Sequence, residues 1–230
     1  MKFGTIIAAR TGSSRLPGKV LLPLRNMEVL RLVIKRLLKS EYCEHFVLAT
    51  TTKIEDDKLA EIAIQEGIMV YRGDEENVLK RFVHAAEAIF PIDINYIVRV
   101  TSDCPMIGGD TLDIVLKKCL SISNFDLITT KPNFHHGLDY EVYRRNLLKS
   151  IESYNNNTNE EKEHILNYIY NRENLYKVKR ILPPKYLLQK GRSLLLDNQN
   201  DYVFFQDLLK DVHEYDVLAK DLLKLLPKSQ

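Results

Sequence analysis

The stretch FGTIIAARTGSSRLPGKVL, residues 3–21, decides how the rest of the chain is read. Its opening residues are apolar and partly β-branched, without alternation until Arg10, which predicts a strand buried on both faces over residues 3–9. The loop that follows sets Arg10, Arg15 and Lys19 among Thr11, Gly12, Ser13 and Ser14. Gly12 and Gly18 admit backbone angles closed to other residues, and Pro17 stiffens the exit. Three cations beside amide and hydroxyl donors, at the carboxyl end of a first strand, suit a polyphosphate. Two common phosphate signatures are excluded. A P-loop needs four residues between its glycines and Ser or Thr after the Lys, but Ser13 through Pro17 separate Gly12 from Gly18, and Val20 follows Lys19. The G-x-G-x-x-G spacing of dinucleotide sites is absent as well.

Outward from this loop, apolar positions at helical spacing alternate with short continuous apolar runs. Helices are predicted over residues 28–39, 55–65, 75–90 and 110–120, and strands over 46–50, 68–71, 96–100 and 126–130. Strands of unbroken rather than alternating apolarity point to parallel pairing between layers of helices, an α/β fold. Beyond residue 130 the pattern loosens. A helix is expected over 144–154, a loop at Asn155-Asn156-Asn157-Thr158-Asn159, and a helix opening at Glu160-Glu161. Strands are expected at 177–182 and 193–196, helices at 202–212 and 214–226, and a frayed tail over 227–230.

At 230 residues the chain suits one α/β domain with a full core. The 33 basic and 31 acidic residues leave a net charge of +2 spread along the chain, so neither a nucleic-acid nor a membrane surface is expected. Cys43, Cys104 and Cys119 form no C-x-x-C and no even set, which favours reduced thiols over disulfides or a zinc site. No secretory leader and no run near the roughly 20 apolar residues of a membrane span is visible, so a cytoplasmic protein is expected.

Two further places carry chemistry. Asp103, in Thr101-Ser102-Asp103-Cys104-Pro105, follows a central strand, where open α/β sheets bind ligands, although an Asp there commonly just caps the next turn. His135 and His136 stand near Asp139 and Glu141, but neighbouring residues on a strand face opposite ways and would not both chelate one ion.

Ala9-Arg10 with Ser13-Ser14-Arg15-Leu16-Pro17-Gly18-Lys19 resembles, without a gap, the signature of the SpsF-type (spore coat polysaccharide) cytidylyltransferases. That family is related to the CMP-keto-deoxyoctulosonate and CMP-acylneuraminate synthetases. The resemblance extends in order through Asp74, Asn77 and Arg81 of GDEENVLKR, Asp103-Cys104-Pro105, Gly137-x-Asp139-x-Glu141-Val142-Tyr143, Glu163-His164, and Asp197 with Asp201. Where the family has Thr-Pro after the first of those last two aspartates, this chain has Asn198-Gln199, a departure expected to weaken the start of the next helix. The fold implied is the Rossmann-like nucleotide-diphospho-sugar transferase fold, one domain over 1–230 with a mainly parallel sheet. A small acceptor and dimerisation lobe is implied at about 133–180, with the contact of a homodimer at about 137–171.

The implied reaction is magnesium-dependent transfer of CMP from CTP to a sugar, a keto-sugar acid, with pyrophosphate leaving. Arg15, Lys19 and Asp103 are the implied catalytic residues, and Asp103 and Asp197 the magnesium ligands. Ala8, Ala9, Arg10, Ser13, Arg15, Lys19, Asp74, Asn77, Arg81 and Ser102 are implied to bind the nucleotide. Asp139, Glu141 and His164 are implied to meet the acceptor. Asp74 and Arg81 also admit a lesser reading as charges on a helix surface, and His164 one as a partly buried histidine. Two alternatives stay open. A sugar-1-phosphate nucleotidyltransferase using UTP or GTP usually carries a Gly-rich loop directly after its first strand, which Ala9-Arg10-Thr11 lacks. A non-catalytic nucleotide-binding pathway subunit would not need Lys19, Asp103 and Asp197 together.

Overall fold

A computed structural model describes residues 1–154, 157–188, 191–212, 215 and 217–226. The chain begins with β1 (Phe3–Ala8), a small hairpin of β2 (Pro23–Leu24) and β3 (Met27–Glu28), and α1 (Val29–Leu37). Then come β4 (His45–Thr51), α2 (Asp57–Gln65), β5 (Met69–Gly73), α3 (Val78–Ile89), β6 (Tyr96–Thr101) and α4 (Gly109–Leu120). The second half contains β7 (Leu127–Thr129), β8 (Glu141–Arg144), α5 (Arg145–Ser153), α6 (Asn159–Glu163) and α7 (Asn167–Tyr170). It closes with β9 (Val178–Arg180), α8 (Gln199–Leu208) and α9 (Ala219–Leu222).

Seven strands form one sheet in the order β5-β4-β1-β6-β8-β7-β9. β5, β4, β1 and β6 are mutually parallel, whereas β8 runs antiparallel to both neighbours and β9 is parallel to β7. Apolar side chains of β1 go alternately to two cores: Phe3 and Ile7 pack with α1 and α4, while Ile6 packs with α3 and α5. Burial on both faces is why these strands read as unbroken apolar runs. Strand order reverses between β1 and β6, so the loops leaving their carboxyl ends diverge and open a crevice there. The loop of residues 9–18 and the turn carrying Asp103 flank that crevice.

The predicted elements through residue 154 are present within a few residues, and several later ones differ. Residues 193–196 form no strand; the segment instead hangs on two backbone bonds, Leu194 N to His136 O at 2.9 Å and Leu196 N to Asp103 O at 2.8 Å. Gly137, at φ 94°, leaves room for this crossing, since a Cβ there would come within 2.5 Å of Leu194 O. The helix expected over 214–226 shrinks to α9 and a 3-10 turn at Leu223–Leu225, because Tyr215 and Val217 give their carbonyls to the buried Arg36 guanidinium rather than to a helical ladder. Glu214 lies outside the described residues, as do Asn155, Asn156 and the tail 227–230.

The weakened helix start is a correction too. Asn198 caps α8 well, accepting from Asn200 N at 2.9 Å and Asp201 N at 3.2 Å, while Asp201 accepts from Asn198 N at 3.1 Å. Asn is as good a cap as Thr, and Asp201 completes a reciprocal box, so the helix starts at Gln199, earlier than apolar spacing suggested. Among the described residues no helix is long and apolar enough to cross a membrane. All three cysteines are buried and free, and burial pushes the Cys119 thiol up to about 12.

Candidate active site

The loop after β1 folds back on itself through Thr11, whose carbonyl accepts from Ser13 N at 2.8 Å and Gly18 N at 2.9 Å. Gly18, at φ 68°, makes the left-handed turn into the 3-10 segment Lys19–Leu21; Gly12 stays out of that region. From outside the loop, Asp56 accepts from Thr11 N at 2.8 Å, Thr11 Oγ1 at 2.7 Å and Thr51 Oγ1. Burial pushes the Asp56 carboxyl up, but those donors outweigh it and hold it below the ordinary carboxylate range. The clamp of Asp56 on the loop is a contact across 45 positions that no local pattern announces.

The loop's cations converge on two aspartates. Lys19 Nζ donates to Asp103 Oδ2 at 3.0 Å and to Asp197 Oδ1 at 3.4 Å, and Arg15 Nη2 lies 2.7 Å from Asp197 Oδ2. Asp103 is placed by the turn after β6. Asp197 arrives because the Leu196 amide is pinned to the Asp103 carbonyl and its own amide to Asp201 Oδ2 at 3.1 Å. Burial acts to raise the Asp103 carboxyl, but the charge and hydrogen bond of Lys19 prevail and keep it below its usual value. Arg10 reaches across the crevice to Glu163 at 3.2 Å.

These groups line a cleft of about 400 Å³ together with Ala8, Ala9, Ser13, Arg81, Ser102 and His164. Arg81 is only 3% exposed; it donates to the Asp74 carbonyl at 2.7 Å, and its Nε has no hydrogen-bond partner. Burial and the neighbouring Arg10 charge both pull its guanidinium down. It is a cleft residue, not a surface charge. Asp74 and Asn77 stand back from the wall: Asp74 accepts from Glu76 N and Asn77 N, and Asn77 caps α3 through Lys80 N. They shape the turn that presents Arg81.

Asp139 and Glu141 also lie behind the wall. Glu141, 3% exposed, receives Arg99 Nη1 at 2.8 Å, Tyr170 Oη at 2.8 Å and Lys131 Nζ at 3.3 Å. Asp139 accepts from Gly137 N at 2.9 Å and pairs with Lys131 at 3.4 Å. Burial raises the Glu141 carboxyl and the Arg99 and Lys131 charges more than reverse it, leaving it below its ordinary value. Arg99, Thr101, Val78 and Glu163 line the cleft without having been singled out for it. Arg99 had a signal, a lone cation inside the apolar run of 96–100. His135 is buried in a loop rather than a strand, its backbone N–H donating to the Leu187 carbonyl at 2.7 Å. Among the described residues no group of three or more His, Cys, Asp or Glu could hold a metal.

Two carboxylates sharing one ammonium, with no third protein ligand among the described residues, suit a hard divalent cation that takes its remaining ligands from phosphate and water. A cationic loop and such a pair, set at the switch point of a doubly wound sheet, describe a nucleotidyltransferase. The chain belongs to the cytidylyltransferase family, CTP-dependent nucleotidyltransferases, whose family profile matches residues 5–225. It is 34% identical over 230 residues to the spore coat polysaccharide biosynthesis protein SpsF of Bacillus subtilis, covering 97% of this chain and 93% of that protein. A cytidylyltransferase structure from Leptospira borgpetersenii superposes with a TM-score of 0.89 at 30% identity, over 98% of this chain and 93% of that one. The fold is shared, at TM-score 0.67 and 16% identity over 91% of this chain and 99% of that one, with CMP:2-keto-3-deoxy-manno-octonic acid synthetase complexed with CTP.

Proposed function

We propose that the protein transfers CMP from CTP to the hydroxyl of a sugar, a keto-sugar acid, releasing pyrophosphate, with magnesium as its metal and a surface polysaccharide as the destination of its product. The observation that carries this reading is the meeting of Lys19 and Arg15 with Asp103 and Asp197, residues from three separate parts of the chain. In-line attack on the α-phosphorus builds charge on the bridging oxygen and on the departing pyrophosphate, and fixed cations are what such a transition state requires. Lys19, Arg15 and Arg10 hold the phosphates, and Arg81, with its unpartnered Nε, donates to the nucleotide from the cleft wall. Asp103 and Asp197 hold magnesium, which polarises the phosphoryl oxygens when bound. The amides and hydroxyls of Ser13 and Ser102, and the small side chains of Ala8 and Ala9, let the nucleotide approach the ends of β1 and β6.

His164 faces the acceptor, while Glu141 and Asp139 serve it indirectly by holding Arg99 and Lys131. A homodimer is part of the same reading, with a contact at 137–171 inside the lobe of about 133–180; Tyr154 at 56% exposure and Leu175 at 67% offer apolar surface there. Size-exclusion with light scattering would report a monomer if this part is wrong. The reaction is tested by incubating the protein with magnesium, each of CTP, UTP, GTP and ATP, and a panel of sugars and sugar acids, with mass detection of products. A CMP-sugar and pyrophosphate are expected with CTP alone among the nucleotides. Turnover with UTP or GTP on a sugar 1-phosphate, or none with any pair, overturns the proposal.

A further inference from the structure

Arg99 enters the cleft wall from inside a strand. It lies near the carboxyl end of β6 with Glu141 of β8 directly beside it in the sheet, while Val98 and Val100 turn to the opposite core. Glu141 holds one end of its side chain: Arg99 Nη1 donates to Glu141 Oε2 at 2.8 Å, and Glu141 is fixed in turn through Oε1 by Tyr170 Oη at 2.8 Å and Lys131 Nζ at 3.3 Å. Arg99 Nε and Nη2 have no hydrogen-bond partner among the described residues, and the side chain keeps 21% of its surface open and lines the cleft. Those two nitrogens form one edge of the guanidinium, a fork that matches the two oxygens of a carboxylate.

The other cations of the cleft have roles in the proposed function. Arg10, Arg15 and Lys19, from the loop after β1, and Arg81, from α3, answer the nucleotide. The cleft carboxylates Asp103 and Asp197 face Lys19 and Arg15, and Glu163 faces Arg10. Arg99 is tied instead to β8, the strand on the far side of β6 from β1.

We infer that Arg99 is the residue that selects an acidic acceptor: its open edge takes the carboxylate of the keto-sugar acid in a bidentate contact, with Glu141 as its positioning residue. This rests on the keto-sugar acid reading of the proposed function. In the ring form of such an acid the attacking hydroxyl stands on the carbon bonded to the carboxylate, so fixing that group in place and in rotation also fixes the attacking oxygen. Arg99 and Lys131 are balanced by Glu141 and Asp139, so Arg99 offers a directed pair of donors rather than net charge. A neutral acceptor leaves that pair unmatched, which is how a site built to hydrogen-bond one group rejects its analogue.

The test compares eight- and nine-carbon keto-sugar acids with their C1 primary amides as acceptors, in the presence of CTP and magnesium. Wild type should favour an acid over its amide by about 100-fold or more in kcat/KM. In Arg99→Gln that preference should fall below about tenfold and the acceptor KM rise about tenfold, with the KM for CTP within about threefold, a split that a general loss of structure would not produce. Arg99→Gln combined with Glu141→Gln removes both charges of the pair together and should lose the preference in the same way, should the single variant not fold. Arg99→Lys keeps Glu141 paired but gives up the fork, and its acceptor KM should also rise about tenfold. A preference for the acid that survives loss of the guanidinium, a matching rise in the KM for CTP, or an unchanged acceptor KM in Arg99→Lys overturns the inference and leaves the reaction standing. Wild type that uses amides and neutral sugars as readily as acids, or no acid at all, sinks the keto-sugar acid reading and the inference with it.

Discussion

Arg99 and Asp103, close together on β6 and the turn that leaves it, belong to two ion clusters of like chemistry and opposite exposure. At the cleft, Asp103 keeps 31% of its side chain accessible, and its neighbours are cations that a ligand could draw away. Behind the wall, Glu141 keeps 4%, and Arg99, Lys131 and Tyr170 together occupy both of its oxygens. The first cluster is arranged to exchange partners and the second to keep them. A sealed ion pair becomes costly once a partner is removed, because the other charge stays buried, whereas a half-open pair loses little stability for the same change.

Four substitutions break or sharpen this contrast. Asp103→Ala should lower turnover about 10³-fold, as loss of a group acting on developing charge does, while changing stability by less than about 1 kcal/mol. A variant that is destabilised by several kcal/mol yet, while still folded, retains turnover would reverse the assignment of the two clusters. Glu141→Gln should do the opposite, costing about 3 kcal/mol of stability by leaving Arg99 under-compensated, read from the denaturation midpoint. Its pH dependence separates it further. The folded-state carboxyl of Glu141 sits below its ordinary value of 4.5, so its contribution is present above that pH and is lost as pH falls through the lower folded value. Wild type should shed stability steeply below about pH 4.5, and Glu141→Gln should lack that component; parallel curves would contradict the sealed-network account.

Asp56 belongs to neither cluster but holds the loop of the first. Asp56→Asn should raise the KM for CTP about tenfold, the worth of a lost charged hydrogen bond, with kcat within about threefold. An equal fall in kcat would mean that the loop acts in the chemical step and not only in binding. The smallest effect is expected at Asn198→Ala, about 1 kcal/mol of stability from the lost cap of α8, seen as a modest fall in melting temperature. No change there would show that packing, not the capping box, starts the helix beside Asp197.

What could be read from residue order alone was local. The unbroken apolarity of residues 3–9, the cations and glycines after it, and the alternation of helix and strand patterns to residue 120 each depend on neighbours within a few positions, so the α/β class and the cationic loop were legible without coordinates. Residues beyond 130 were harder because their form is set by distant partners: 193–196 is extended through bonds to His136 and Asp103 rather than by pairing in the sheet, and Tyr215 and Val217 give their carbonyls to Arg36. The same holds within the site. Lys19, Arg15 and Arg10 were legible as cations, but that Asp197 would reach Lys19 across 178 positions followed only from the tether of Leu196 to Asp103. Likewise, nothing local says that Glu141 is sealed while Asp103 stays open. Charge type and spacing are properties of the chain; desolvation, and with it the difference between a binding group and a buttress, exists only once the sheet and its covering helices have closed around them.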